Sequence, residues 1–246
     1  MNRPRLKDHI VICGWSDATR VVVEQLHSDD LATLQHIVII DDKITQCPID
    51  DPFVSFIHGD PTESETLERA SIQDARTAII LTDWSLPDPS LRDSKTALIT
   101  LAIKSMNSKV YACAELMRAE SKRHLERAGV DEPICISEIS QRMLVMAALN
   151  HGLSRLFDDL LTFNEGSEIY CTPAPTAFIG MPFRKLVSDL SLNKAVIVMA
   201  IKRDKRIFTN PPGEFPVEKG DHLYLLAESY PQWIKEYTPA EERHSQ

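Results

Sequence analysis

Short, continuous apolar runs recur through the first half of the chain, most of them ending on a glycine or an acidic residue. His9-Ile10-Val11-Ile12-Cys13-Gly14 is the first, and His36-Ile37-Val38-Ile39-Ile40, ahead of Asp41 and Asp42, is the second. Runs this rich in β-branched residues predict strands buried on both faces, as in parallel sheets. Val54-Ser55-Phe56-Ile57-His58-Gly59 and Thr77-Ala78-Ile79-Ile80-Leu81 continue the series, with further strands at 109–114 and 133–136. Helical spacing falls between them. Val21, Val22 and Leu26 mark a helix over 18–27, and Thr62 or Ser64 can cap one that runs to Ala70. Glu63, Glu65 and Glu68 suit the positive end of that helix. A loop over 82–93 holds Pro87 and Pro89, a helix follows at 94–106, and another at 119–128 stops at Gly129. Strands alternating with helices, without hairpin turns, predict an α/β fold: a Rossmann-like, doubly wound parallel sheet with right-handed crossovers.

From Ser137 the pattern changes. Met143, Met146 and Leu149, then Leu153, Leu156, Phe157 and Leu160, form two helical stripes separated by the turn Asn150-His151-Gly152. Such stripes either finish the first core or form a dimerisation surface. Beyond Asn164 the chain turns β-like, at 168–172, 195–202, 206–209 and 222–227, with turns at Asn210-Pro211-Pro212-Gly213 and Lys219-Gly220-Asp221. This predicts a small α+β lobe. The expected order is a linker at 1–8, the Rossmann-like lobe at 9–136, a helix–turn–helix connector at 137–162, the second lobe at 163–238 and a disordered tail at 239–246.

Composition narrows the function. With 246 residues the chain suits two domains, and its 36 acidic and 27 basic residues give a net charge of −9. That balance argues against nucleic acid as a partner. Residues 1–8 are polar, so no signal peptide is expected there, and no apolar run approaches the roughly 20 residues that span a bilayer, so no direct membrane insertion is expected. Five cysteines, odd in number and without a C-x-x-C pair, read mostly as small core residues in a reducing compartment.

Candidate chemistry gathers at the carboxyl edge of the predicted sheet, where open parallel sheets bind ligands. Gly14, Ser16, Asp17, Asp41, Asp42, Gly59, Asp60, Thr82, Asp83 and Glu115 all fall there. A dinucleotide fingerprint would place glycines at 14, 16 and 19, and only Gly14 is one; Ser16 and Thr19 crowd a pyrophosphate. The helix N-terminus behind Gly14 still offers N–H groups to an anion. Asp41 is placed either to accept from ribose hydroxyls or to cap a solvated loop. For an adenine nucleotide (ADP, ATP or NAD) the candidate residues are Gly14, Ser16, Asp17, Asp41, Asp60 and Thr82. Asp83, Asp88 and Asp93 in one loop, with Glu115 at the end of the fifth strand, offer oxygen ligands to calcium or another cation, or are simply solvated. No nucleophile elbow, zinc-protease motif or Walker loop is present, and His58 beside Gly59-Asp60 reads as structural, so no catalytic residue is nominated.

Residues 9–136 resemble the N-terminal lobe of RCK domains, the regulators of potassium conductance also called KTN or Trk-N domains. The resemblance is carried by Ile10-Val11-Ile12-Cys13-Gly14-Trp15-Ser16, Ile57-His58-Gly59-Asp60-Pro61-Thr62, Leu67-Glu68-Arg69-Ala70-Ser71-Ile72 and Val110-Tyr111-Ala112-Cys113-Ala114-Glu115. The second lobe is similar to the family's C-terminal lobe through Ile197-Val198-Met199-Ala200-Ile201-Lys202-Arg203, Asn210-Pro211-Pro212 and Lys219-Gly220-Asp221-His222-Leu223. The resemblance implies homodimers joined through the connector, octameric rings, and allosteric control of a potassium channel pore or a transporter membrane subunit from the cytoplasmic face. The Gly14-Trp15-Ser16 turn looks like the calcium-gated channel branch, whose calcium sites follow the fourth and fifth strands. Asp83 and Glu115 stand nearest those positions, and Cys113 stands where that branch can place a second glutamate. Arg3-Pro4-Arg5-Leu6-Lys7 resembles the linker from a pore helix. The alternative within the family is an NAD(H)- or adenine-nucleotide-sensing subunit of a Trk/Ktr-type transporter, and outside it an NAD-dependent oxidoreductase.

Overall fold

The computed structural model describes residues 6–28, 35–161 and 166–232. Most of the linker expected at 1–8 and all of the tail expected at 239–246 lie outside those residues. The chain forms two compact units that part between Leu153 and Ser154, within the expected connector.

The first unit runs β1 (Ile10–Cys13), α1 (Asp17–Ser28), β2 (Ile37–Asp41), β3 (Val54–His58), α2 (Ser64–Arg69), β4 (Thr77–Ile80), α3 (Pro89–Met106), β5 (Tyr111–Leu116), α4 (Lys122–Ala128), β6 (Glu132–Cys135) and α5 (Ile136–Leu149). Its six strands are all parallel, in the order β3-β2-β1-β4-β5-β6. The order reverses between β1 and β4, which makes that edge the switch point of a doubly wound sheet. Every residue of β1 and β2 is buried, as their unbroken apolar runs require, whereas β5 alternates buried and partly exposed positions. Val11, Ile12, Ile37, Ile39 and Ile80 pack there, each buried Ile or Val contributing about 1.5–3 kcal/mol.

Several helix ends differ from expectation. α3 begins five residues earlier, at Pro89: the Asp88 carboxylate accepts the Ser90 N–H at 2.7 Å as an N-cap, and proline is tolerated in the first turn, where its missing N–H costs nothing. Asp88 is therefore a cap and not a loop ligand. Asp93 lies inside α3, buried, accepting from Met117 N and Arg118 N at 2.7 and 3.1 Å, and so clips that helix to the end of β5. Neither Thr62 nor Ser64 caps α2; the N-cap position is Glu63, and Thr62 turns back onto Asp60. α4 is shorter than expected, with a separate 3-10 turn at Ala119–Ser121, and it stops at Gly129, whose φ of 97° suits glycine. The cysteines divide: Cys13 and Cys135 are core residues as expected, but Cys47 and Cys171 are exposed, since one sits in a loop and the other on an outward position of an edge strand.

No residue of α5 is buried, and the same holds for α6 (Leu153–Leu161). These stripes do not finish a core by burying themselves. In the second unit β7 (Glu168–Pro173), α7 (Phe183–Lys194), β8 (Ile197–Arg203), β9 (Arg206–Thr209) and β10 (His222–Ala227) follow. The sheet is antiparallel, in the order β7-β10-β8-β9. α7, which strand patterns alone did not suggest, lays Phe183, Leu186 and Leu190 against Val198, Ile201, Leu223 and Leu225. The expected small α+β lobe is therefore present.

Candidate ligand cleft

The turn between β1 and α1 is closed from inside. Gly14 has a φ of 105°, a conformation that favours glycine, and its N–H donates to Ile40 O at 2.9 Å. Thr19, fully buried, donates its hydroxyl to Gly14 O at 3.1 Å and accepts the Ser16 N–H at 2.8 Å. The residue standing at the third fingerprint position thus braces the turn instead of leaving room beside it.

Asp41, at the end of β2, is 5% exposed. Its Oδ2 accepts the Trp15 N–H at 2.9 Å, and its Oδ1 accepts the N–H groups of Lys43 and Ile44 at 2.7 and 3.1 Å. Three backbone donors take up much of the capacity that a carboxylate has for ribose hydroxyls. Asp41 ties the first turn to the loop after β2.

Beside it lies a cleft of about 140 Å³, lined by residues that include Gly14, Ser16, Asp41, Thr82, Asp83 and Lys95. Trp15 and Trp84 add aromatic wall. The guanidinium of Arg20 stands 5.6 Å from the centre of the Trp15 ring, and that of Arg92 4.7 Å from Trp84. Thr82, only 5% exposed, has a hydroxyl without a hydrogen-bond partner among the described residues. A buried hydroxyl left unsatisfied is costly.

Two lysines, absent from the candidates drawn from sequence, dominate the electrostatics. Lys43 Nζ donates to Asp83 Oδ1, and also to Ser85 Oγ at 2.7 Å. Lys95 Nζ, from α3, donates to Asp83 Oδ2 at 3.0 Å and stands 3.7 Å from Asp42 Oδ2. Ser85 adds its N–H and hydroxyl to Asp83 Oδ1 at 3.1 and 2.7 Å. Burial pushes the Asp83 carboxyl up, but the hydrogen bonds from Lys43, Ser85 and Lys95 outweigh it and hold the group well below the usual carboxylate range. Burial likewise lowers Lys95, and Asp83 followed by Asp42 more than restores it, so the ammonium is held above its ordinary value.

The remaining candidates do not line the cleft. Asp17 sits exposed in the first turn of α1. Asp60 accepts the N–H and hydroxyl of Thr62, both at 2.8 Å, and shapes the turn before α2. Glu115 accepts the Thr82 N–H at 2.9 Å. Calcium requires six to eight oxygen ligands. As arranged here Asp83 serves two ammoniums and Glu115 a backbone amide, and among the described residues no group of three or more His, Cys, Asp or Glu is placed to hold a metal. This geometry does not fit a calcium ion at Asp83 and Glu115.

A doubly wound sheet with a polar cleft at its switch point, followed by a small α+β lobe, defines a two-lobed α/β architecture. Residues 10–136 match the TrkA-N domain, and the chain belongs to that family. Residues 137–242 match the Castor and Pollux region, described as part of a voltage-gated ion channel. Over 228 residues the chain is 29% identical to the calcium-gated potassium channel TvoK of Thermoplasma volcanium, covering 92% of this chain and 64% of that protein. It is 22% identical over 225 residues to potassium channel protein 1 of Methanocaldococcus jannaschii, covering 90% and 64%. With the putative potassium channel protein YugO of Bacillus subtilis it shares 29% identity over 222 residues, covering 89% and 66%. The chain thus spans about two thirds of the length of these relatives. Its fold is similar to that of the human SLO3 gating ring, with a TM-score of 0.72 and 20% identity over 91% of this chain and 44% of that one. No helix among the described residues is long and apolar enough to cross a membrane.

Proposed function

We propose that the chain is a ligand-sensing regulatory domain that controls a potassium channel from the cytoplasmic side of the membrane. The observation that carries this reading is the cleft at the β1–β4 switch point, walled by Trp15, Trp84, Lys43 and Lys95. Similarity over nine tenths of the chain to potassium channels supports the partner. The domain works without catalysis, through ligand-driven allosteric movement.

An adenine nucleotide (ADP, ATP or NAD) suits the cleft better than calcium, the ion named for TvoK, because two lysines already engage Asp83. Gly14, Ser16 and Thr82 would face the ligand, while Asp17 and Asp60 stand farther out. The domains associate through α5 and α6, where Leu144, Leu149, Leu156 and Leu161 stand exposed, first as dimers and then as an octameric ring beneath a pore. Taking a gate from 1:99 to 99:1 needs about 5.5 kcal/mol, or roughly 0.7 kcal/mol from each of eight subunits, so a weak ligand suffices. The match to the TrkA-N domain supports a second partner of the same kind, the membrane subunit of a Trk/Ktr-type transporter.

A thermal-shift panel with ADP, ATP, NAD, NADH, calcium and magnesium tests the reading. A ligand at 100 times its dissociation constant stabilises by about 2.7 kcal/mol. A shift with a nucleotide supports the nucleotide reading, and a shift with calcium alone replaces it by a metal-gated one. No shift with any of them removes ligand sensing at this cleft.

A further inference from the structure

Lys43 and Lys95 face Asp42 and Asp83, and Asp41 behind them, met by three neutral backbone N–H groups, adds a third carboxylate, so the wall carries two positive charges against three negative ones. A phosphate entering the cleft therefore meets no net attraction while Asp83 stays in place. If Asp83 leaves, the two ammoniums face Asp42 with Asp41 behind it, so the wall goes from net negative to balanced and both ammoniums are free to donate to a phosphate. Asp83 is also one of the points at which the loop 82–88 is held to its surroundings, through Lys43 to the loop after β2 and through Lys95 to α3; Glu115 holds the Thr82 N–H, and Arg92 holds Leu86 O at 2.6 Å. That loop carries Trp84, half exposed at the mouth of the cleft.

We propose that Asp83 is a built-in competitor for ligand phosphate: Lys43 and Lys95 hold it in this structure and exchange it for the phosphate groups of a bound nucleotide, which releases the Asp83 tether of the loop 82–88 and shifts Trp84. The exchange favours phosphate because a diphosphate offers several charged acceptor oxygens to the two ammoniums, where Asp83 offers one charge. Binding is thereby coupled to a loop movement by the ion pair that the ligand breaks. The inference rests on the nucleotide reading above and adds how that ligand is recognised and what it moves.

The test is a fluorescence titration of the full chain with ADP, pyrophosphate and adenosine, with Trp84→Phe identifying the part of the signal that comes from the loop. Lys43→Met and Lys95→Met should each weaken ADP and pyrophosphate at least tenfold and leave adenosine unchanged. Asp83→Asn, by freeing both lysines, should tighten ADP severalfold; a residue that merely kept the site in shape would weaken it. ADP binding that ignores all three substitutions, or that is weakened by Asp83→Asn, overturns the exchange and leaves the nucleotide reading standing. If neither ADP nor pyrophosphate binds the unaltered protein, the exchange and the nucleotide reading fall together. The melting temperature of each variant, measured in parallel, separates these outcomes from misfolding.

Discussion

Arg203 grips Asp221 as a fork, Nε to Oδ1 at 2.8 Å and Nη2 to Oδ2 at 2.9 Å, and the carboxylate is 1% exposed. The same guanidinium reaches Glu218 Oε1 at 2.5 Å and Pro216 O at 2.9 Å, and lies 4.8 Å from the centre of the Phe215 ring. Asp221 also accepts the Glu218 N–H at 2.8 Å. The cluster fastens the irregular stretch before β10 to the end of β8. It explains the Lys219-Gly220-Asp221 turn as architecture, with the buried charge matched by a planar, bidentate partner.

Removing one member leaves the other buried without its counter-charge. Arg203→Met is expected to destabilise the second lobe by about 3 kcal/mol, at the low end for a broken buried pair, because Glu218 N still serves Asp221. Urea denaturation followed by circular dichroism measures it. A loss below about 1 kcal/mol, the range of exposed ion pairs, would show that solvent already reaches this pair.

Acid should act on the other lobe through His9. That side chain is 1% exposed, and since Ala70 O can only accept, Nε2 donates to it at 2.8 Å. Nδ1 is left buried with no partner among the described residues. Burial lowers the His9 pKa against the raising influence of Ala70 O, Asp74 and Asp8, and burial followed by His9 itself lowers that of His36. Both folded pKa values lie below the ordinary one, so the unfolded chain binds protons first and stability rises with pH across that interval. Melting temperature is therefore expected to fall as pH drops below about 6.5, the unperturbed histidine value. His9→Gln, which keeps a donor for Ala70 O, should flatten the fall; an unchanged slope would assign it to other groups.

The legibility of this chain follows from where its partners come from. β1 and β2 could be read directly, because strands buried on both faces must be apolar at every position. The start of α3 was obscured by Pro87 and Pro89, which look like loop residues until Asp88 is recognised as a cap with proline behind it. α7 carried its own signal in Phe183, Leu186 and Leu190, at spacings of three and four, but the β-like runs on either side drew attention away from it. At the cleft, Gly14, Ser16, Asp41, Thr82 and Asp83 were placed on the correct edge by topology alone. Lys43 and Lys95 were not, since they reach Asp83 from 40 and 12 residues away. Nor could the three amides on Asp41 be seen, because backbone donors leave no trace in a sequence.

Asp41 should matter more to the shape of the cleft than to ligand contact. Asp41→Ala removes the acceptor for Trp15, Lys43 and Ile44 N–H groups at once, and is expected to cost about 3 kcal/mol, given roughly 1–3 kcal/mol for each donor left unsatisfied and partial rescue by water. Hydrogen exchange should then speed up at those three amides ahead of the rest of the sheet. Retained protection at Trp15 would mean that the turn holds itself through Thr19 alone.

Self-association supplies the last prediction. On α5, Ile139, Leu144, Val145, Met146 and Leu149 are all exposed, Leu144 at 72% and Leu149 at 75%. Large apolar side chains so exposed on one helix are unfavourable in an isolated monomer and mark a surface that another protein covers. If the cover is a second copy of the chain, Leu144→Glu with Leu149→Glu should convert the dimer to monomer in sedimentation-velocity runs. Neither side chain is packed in the fold of the lobe, so far-ultraviolet circular dichroism should not change. The apparent melting temperature, by contrast, should lose its dependence on protein concentration, because dissociation no longer accompanies unfolding. A double variant that still sediments as a dimer would move the interface off α5.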